Sequence, residues 1–367
     1  MAQVLYRKYR PRSFADLIGQ EHVVRTLTNA IARGEVAHAY LFTGPRGTGK
    51  TSAARVFAKA LNCTKRTPKS DACLKCESCQ EIEKGNAVDL IEIDAASNRG
   101  IDEIRALREG VRFMPVKSAY KVYIIDEVHM LTKEAFNALL KTIEEPPAHA
   151  VFILATTEVH KVPATIISRT QRFDFHLLNH EQMEKHLATV AKAEGATLGK
   201  DVLGLVIAAS GGSLRDAQSI LGKVIATGVT TVEEARDLLG MTDTGRLAEF
   251  FNMVIEKRQD EALAFVNDIA FGGGDIEQFA QGVLGYARVL LVSKVSEKAG
   301  EKVASHFSVE ELARVALQAK AIAQKDLYTL IKEFLDASST MKYSPLPQLP
   351  LELAVVNSTQ PDPSQEG

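Results

Sequence analysis

Gly44-Pro45-Arg46-Gly47-Thr48-Gly49-Lys50-Thr51 decides how this chain is read. The run Ala39-Tyr40-Leu41-Phe42-Thr43 before it is apolar, and the pattern Ser52–Leu61 after it is helical. That is the strand–loop–helix setting a phosphate-binding P-loop requires. In such a loop the glycines let backbone N–H groups close on phosphates, Lys50 reaches the β and γ oxygens, and the Thr51 hydroxyl faces Mg²⁺. Ser52 completes the nucleotide-contacting run. A glycine-rich turn that matches by chance is the competing reading, and the flanking elements argue against it.

Working outward, Val122-Tyr123-Ile124-Ile125-Asp126-Glu127 reads as a buried strand ending in two carboxylates. Asp126 suits a Mg²⁺ ligand and Glu127 a group that polarises the attacking water, which points to hydrolysis as well as binding. Two acids capping the next helix would be the purely structural account.

At 367 residues with 46% hydrophobic content, the chain can bury sizeable cores and is expected to form two or three domains. The formal net charge is −2. No global basic field therefore advertises nucleic acid, and any DNA contact must come from a local patch, presented by several subunits together. No apolar run precedes a cleavage site at the N-terminus, and no uninterrupted apolar stretch of about 18 residues occurs. The expected location is the cytoplasm.

All four cysteines, Cys63, Cys73, Cys76 and Cys79, fall within residues 63–79. Disulfides are unfavoured in a cytosolic ATPase, whereas this spacing can wrap four thiolates tetrahedrally around one ion. Structural zinc is the leading expectation. An iron–sulfur cluster stays open because Cys-x2-Cys-x2-Cys is also a cluster pattern, and disulfides or free thiols complete the alternatives. Lys65, Arg66, Lys69 and Lys75 would offset the thiolate charge. Four sulfurs leave no open position for catalysis, so the module reads as a staple standing apart from the nucleotide contacts.

Strand candidates at Tyr40–Thr43, Val88–Ile93, Lys121–Asp126, Val151–Thr156 and Gln171–Phe175 alternate with helical patterns, the signature of an α/β fold with a parallel sheet. Pro146-Pro147 stops a helix running from Lys133 to Glu145. Beyond about residue 178 the strand signals fade. Glu181–Glu194, Val202–Ser210, Leu214–Thr227 and Val232–Leu239 read as short helices of a compact lid. From Asp243 onward, Arg246–Glu256, Asp260–Ala270, Ile276–Val295, Val309–Ala323 and Leu327–Met341 carry helical apolar stripes, broken at Gly272-Gly273-Gly274. The expected divisions are 1–178 with a metal module at 63–79, a lid at 179–242, a helical domain at 243–356, and a polar, disordered tail at 357–367.

Further pieces carry a family resemblance. Leu154-Ala155-Thr156-Thr157 ends a strand beside the phosphate loop, and Thr165-Ile166-Ile167-Ser168-Arg169-Thr170 follows. Tyr6-Arg7-Lys8-Tyr9-Arg10-Pro11 and Phe14-Ala15-Asp16-Leu17-Ile18-Gly19-Gln20 precede the loop, and Gly212-Ser213-Leu214-Arg215-Asp216-Ala217 sits in the lid. With the cysteine insertion, the chain closely resembles the DnaX-type (tau/gamma) members of the clamp-loader branch of AAA+ ATPases, over essentially its whole length.

The resemblance implies roles position by position. Arg10-Pro11, Phe14 and Gly19-Gln20 match the segment that holds adenine. Thr157 stands where a sensor residue reads the γ-phosphate, and Arg215 matches a second sensor reaching back from the lid. Ser168-Arg169 matches a Ser-Arg-Cys motif whose arginine acts in trans on a neighbouring subunit's ATP, with Thr170 in place of the cysteine. The C-terminal helices would form a collar joining subunits. Partners would be other clamp-loader subunits, a sliding clamp and primer–template DNA, with ATP, Mg²⁺ and Zn²⁺ bound. Arg99 and Arg105, after the second strand, are the candidate DNA-backbone contacts.

Each assignment has a plainer rival. Arg169 could pair with Asp174, and Arg215 with Asp216 or Glu181, as surface ion pairs. The complete motif order favours the functional reading, because a γ-phosphate needs positive groups from several directions. A helicase-like DNA-remodelling motor would carry stacking aromatics after the second strand, yet Ala95-Ala96-Ser97-Asn98-Arg99-Gly100 has none. A non-catalytic scaffold subunit would have lost Lys50, Asp126 or Glu127.

Overall fold

The computed structural model describes residues 4–304 and 307–360. Its residues divide into two compact units. One comprises the described residues up to Ala193 together with Ser210–Gly222; the other comprises Glu194–Ala209 together with the described residues from Lys223 onward. Helices expected as one lid are thus shared. His180–Ala193 belongs to the first unit, Lys200–Ala209 and Val232–Leu239 to the second, and Leu214–Thr227 changes unit along its length.

The first unit is built on five parallel strands: β1 (Ala39–Thr43), β2 (Leu90–Asp94), β3 (Lys121–Asp126), β4 (Ala150–Thr156) and β5 (Gln171–Asp174). They lie in the order β2-β3-β4-β1-β5. All five expected strands are present, Lys121–Asp126 with its expected bounds and the others with ends moved by one or two residues.

Side chains alternate across this sheet as the strand period demands. Tyr40 and Phe42 of β1, Val122 and Ile124 of β3, and Val151 and Ile153 of β4 enter one core layer, which they share with Val23, Leu27, Val56 and Phe57. Leu41, Tyr123, Ile125, Phe152 and Leu154 enter the opposite layer with Ile104, Leu107, Phe136 and Leu139. Both faces are covered, so the central strands read as continuous apolar runs. Tyr40 meets Phe57 edge-on at 4.8 Å, and its hydroxyl accepts from the Ala37 N–H at 2.8 Å. Burying a side chain of this size contributes about 1.5–3 kcal/mol.

In register, β1 pairs with β4 on one side and β5 on the other, and β4 pairs with β3. The loop after β1 therefore emerges beside the ends of β4 and β3. Ligands of open α/β sheets bind at the carboxyl ends of the strands, where consecutive strands are not neighbours.

The second unit is helical, and Phe250, Phe251, Phe279, Tyr286 and Phe334 lie in its core. Buried Gln318 is fully used: it accepts from Tyr286 Oη at 2.6 Å and donates to the Ala248 carbonyl and to Asn252 Oδ1, both at 2.7 Å. The tail expected to be disordered from 357 begins inside a helix, Leu349–Thr359. Leu351, Ala354 and Val355 are buried there, and burial overrides the polar sequence that follows. The rest of that expectation, 361–367, lies outside the described residues. Among the described residues no helix is long and apolar enough to cross a membrane.

Candidate nucleotide site and four-cysteine centre

The loop between β1 and the helix Lys50–Leu61 turns through three glycines with positive φ: Gly44 (140°), Gly47 (78°) and Gly49 (97°). Two of them also face obstacles. A Cβ at Gly44 would lie 2.3 Å from the Phe175 carbonyl oxygen, and one at Gly47 would lie 2.0 Å from Ser213 Oγ. Only glycine fits either position.

Lys50 opens the helix and is 6% exposed. Its ammonium bonds the Gly44 and Pro45 carbonyls at 2.8 and 2.9 Å. Burial pushes its pKa down, while Glu127 and Asp126 oppose the shift. The helix N-terminus adds unpaired N–H groups and a positive dipole end, so the loop is built for an anion.

Facing it, Thr51 Oγ1 donates to Asp126 Oδ2 at 2.7 Å. Hydroxyl and carboxylate thus already meet, the hard oxygen pair a Mg²⁺ ion takes beside phosphates. Glu127 follows in a left-handed conformation, φ 47° and ψ 47°. Its Oε2 accepts from the Thr157 N–H at 3.2 Å and the Thr157 hydroxyl at 2.9 Å. His129 stands behind, with Nδ1 3.4 Å from the same oxygen and 2.9 Å from Thr156 Oγ1, and Nε2 3.3 Å from Glu158 Oε1.

Lys50, Thr51, Asp126 and Glu127 line one cavity of about 670 Å³, together with Arg10, Pro11, Arg46–Gly49, Ser52 and Arg215. Arg10 Nε donates to Ser52 Oγ at 3.2 Å. Burial and Arg55 depress the Arg10 pKa, whereas Glu92 and Asp126 raise it. Arg215 stacks its guanidinium on Tyr6 at 4.9 Å, while Asp216 lies 4.0 Å from Arg46.

Other expected site residues lie off the cavity wall. Gln20 is 1% exposed, with its amide bonded to the His176 carbonyl at 2.7 Å and N–H at 3.2 Å, a backbone clamp. Gly19, φ 70°, packs beneath Leu178. Thr157 addresses the site through Glu127. Arg169 pairs with Glu144 at 3.0 Å, and Asp174 with Arg172. Arg99 and Arg105 are exposed, bonded to the Ala96 carbonyl and to Asp102 at 3.0 and 3.2 Å.

Sequence reasoning missed several wall residues. Leu178, His186 and Gln218 close the cavity from segments far apart in the chain. No local pattern marks them. The third residue after Asp126, His129, was within reach of a closer reading of the acidic strand end.

The four cysteine Sγ atoms lie within 4.8 Å of one another, and Cys63 and Cys76 are 3.9 Å apart. Four thiolates at about 2.3 Å from one tetrahedral ion would be roughly 3.8 Å apart, so the donors fit a single ion. A multi-iron core would hold them wider. The Cys73 and Cys76 N–H groups point at Cys63 and Cys73 sulfurs, both at 3.3 Å. Leu74, inside the Cys73–Cys76 turn, takes φ 60°. Burial opposes ionisation of Cys76, yet donors on Cys79 and Thr64 bring it down to about 6, whereas burial pushes Cys63 and Cys79 up. Four crowded thiols cannot all ionise without a cation among them.

Residues 19–179 match the family described as DNA polymerase III, delta subunit. Residues 230–366 match that described as DNA polymerase III subunits gamma and tau domain III. The chain is 41% identical over 363 residues to the DNA polymerase III subunit tau of Bacillus subtilis, covering 98% of this chain and 63% of that protein. Against the DNA polymerase III subunit tau of Escherichia coli it is 37% identical over 360 residues, covering 97% and 55%. The chain thus spans less than two thirds of the length of these relatives. Among solved structures, the Thermotoga maritima RuvB Holliday junction branch migration motor overlays loosely, at TM-score 0.48 and 18% identity over 73% of this chain and 87% of that one.

Proposed function

Since the chain belongs to the gamma/tau (DnaX-type) family of clamp-loader AAA+ subunits, we propose that it binds and hydrolyses ATP. It would do so as one subunit of a hetero-oligomeric ring that opens a sliding clamp and loads it at primer–template DNA. One observation carries this reading: Lys50, Thr51, Asp126 and Glu127 converge on a single cavity at the carboxyl ends of β1 and β3.

In this reading Lys50 exchanges its two loop carbonyls for β and γ phosphate oxygens, and Gly47–Thr51 N–H groups close on the phosphates. Thr51 and Asp126 would hold Mg²⁺, whose positive charge would offset that of the leaving phosphates. Glu127 accepts the proton of the attacking water, with Thr157 fixing its carboxylate. Arg10 and Pro11 border the base, and Arg215 leaves Tyr6 to approach the phosphates from the lid. Gly19 and Gln20 support the base-side segment from behind.

Arg169, on the connection into β5, is assigned to a neighbouring subunit's γ-phosphate. ATP binding then assembles subunits, and hydrolysis removes the bridging charge and releases the clamp. Arg99 and Arg105 are assigned to the DNA backbone, residues 179–242 to the lid, 243–356 to the collar, and zinc to the four cysteines.

The test is ATP turnover by the chain alone, in the assembled loader, and with clamp and primed DNA added. Stimulation that needs clamp and primed DNA together supports the reading. Stimulation by single strands alone favours a DNA-remodelling motor, and no turnover in any mixture favours a non-catalytic scaffold.

A further inference from the structure

Asp71 lies between Cys63 and Cys73 in sequence and is 9% exposed, yet its carboxylate serves a different segment. Oδ1 accepts from the Phe14 N–H at 3.1 Å and the Ala72 N–H at 2.7 Å, and Oδ2 accepts from the Ala15 N–H at 3.3 Å. Phe14 and Ala15 open the 3-10 turn Phe14–Asp16, where N–H groups have no partner within the turn. Ser13, which precedes them, spends its hydroxyl on Asp16 Oδ2 at 2.9 Å. Asp71 is itself fixed: Thr67 and Asp71 exchange bonds at 2.9 and 3.1 Å.

A second grip comes from the helix Glu77–Lys84, which Cys76 precedes and which carries Cys79. Its Glu83 pairs with Arg12 at 3.3 Å and with the buried ammonium of Lys59. Lys59 in turn donates to the Arg12 carbonyl at 3.2 Å. Residues 12–15 are therefore held at both ends by the cysteine-bearing module. Arg10, Pro11, Arg12, Asp16, Leu17 and Ile18, in and around that segment, form a wall of the nucleotide cavity.

We infer that the four-cysteine module is a working part of the nucleotide site: metal bound by the cysteines fixes Asp71 and Glu83, and these positioning residues set the cavity wall and hence nucleotide affinity. The inference rests on reading the cavity as an ATP site. Thermodynamic linkage makes the coupling reciprocal, so bound nucleotide tightens metal binding by the same factor.

The experiment titrates ADP into the full chain, zinc-loaded and then metal-stripped. Removing the metal is expected to weaken ADP binding about fivefold, the size of one lost helix cap, and restored zinc recovers it. Asp71→Ala and Glu83→Gln weaken ADP binding while retaining zinc, and Asp71→Asn, which keeps one acceptor oxygen, weakens it less. In the double variant, stripping the metal adds little further loss, a non-additivity that general destabilisation would not produce. Should Asp71→Ala fail to fold, Asp71→Asn with Glu83→Gln carries the same comparison. Equal ADP affinity with and without metal overturns the inference, as does an undiminished metal effect in the double variant. Failure of the zinc-loaded parental chain to bind ADP overturns the nucleotide reading itself.

Discussion

Thr157 gives its backbone N–H and its hydroxyl to one and the same carboxylate oxygen of Glu127, at 3.2 and 2.9 Å. Glu127 reaches that position from a left-handed backbone conformation, which costs a non-glycine residue about 1–2 kcal/mol. The paired bonds from Thr157, just past β4, and the adjoining His129 hold it there. A carboxylate held this way can accept a water proton from a fixed direction.

Glu127→Gln is accordingly expected to keep ATP affinity and slow turnover by roughly 10²–10⁴. Thr157→Val should lower kcat by a smaller factor, about tenfold, with KM nearly unchanged. Single-turnover measurements check both, and parental turnover in Glu127→Gln would remove the role assigned to that residue.

Lys50→Ala should act at binding instead. It deletes a buried cation and leaves the Gly44 and Pro45 carbonyls without their donor. Charge-assisted hydrogen bonds contribute about 1.5–3 kcal/mol each, so nucleotide affinity should fall by at least about tenfold. Equilibrium titration with ADP and ATP reads this directly.

The sheet and its acidic strand end were legible because both are local signals: short continuous apolar runs and a motif following one of them. Leu214–Thr227, Val232–Leu239 and Ile276–Val295 also matched their helical patterns. What escaped is what the chain assembles from distant segments. Nothing beside Cys73 in sequence reveals that Asp71 caps a turn at Phe14, so the module read as standing apart, whereas the Asp71 bonds tie it to residues 14 and 15 of the N-terminal segment. The Leu349–Thr359 helix escaped for a different reason: it is apolar around much of its circumference and lacks the stripe that identifies a surface helix.

His186 supplies a pH dependence. Burial holds its pKa below the ordinary histidine value, and its ring nitrogen contacts Gln218 at 2.9 Å. The unfolded chain therefore takes up the proton first, near pH 6.5, and stability falls as pH drops through that value toward the lower folded-state pKa. The thermal midpoint should drop between pH 7 and 5 by on the order of 1–3 °C more in the parental chain than in His186→Gln. Identical pH slopes would exclude His186 as the source.

Elemental analysis should give about one zinc per chain with no visible-range iron bands. Cys76→Ser should lose the metal and loosen residues 63–84, detected as faster proteolysis there. Stoichiometric iron would replace zinc in the assignment.

Arg169 tests whether hydrolysis is completed in trans. Its guanidinium pairs with Glu144 at 3.0 Å and also donates to the Thr165 carbonyl at 3.0 Å, and it is absent from the wall of the cavity that holds Lys50. An exposed ion pair of this kind contributes little to stability, so Arg169→Ala should fold and bind ATP as the parental chain does. An arginine supplied to a neighbour's γ-phosphate contributes roughly 10³–10⁵ in rate, and the assembled complex should lose its clamp- and DNA-stimulated turnover. Mixing Arg169→Ala chains with Lys50→Ala chains discriminates further. Some interfaces then join an intact Lys50 site to an intact neighbouring Arg169, and hydrolysis should return at those interfaces. No recovery in a verified mixed assembly counts against the trans arrangement, and full stimulated activity of Arg169→Ala alone eliminates it.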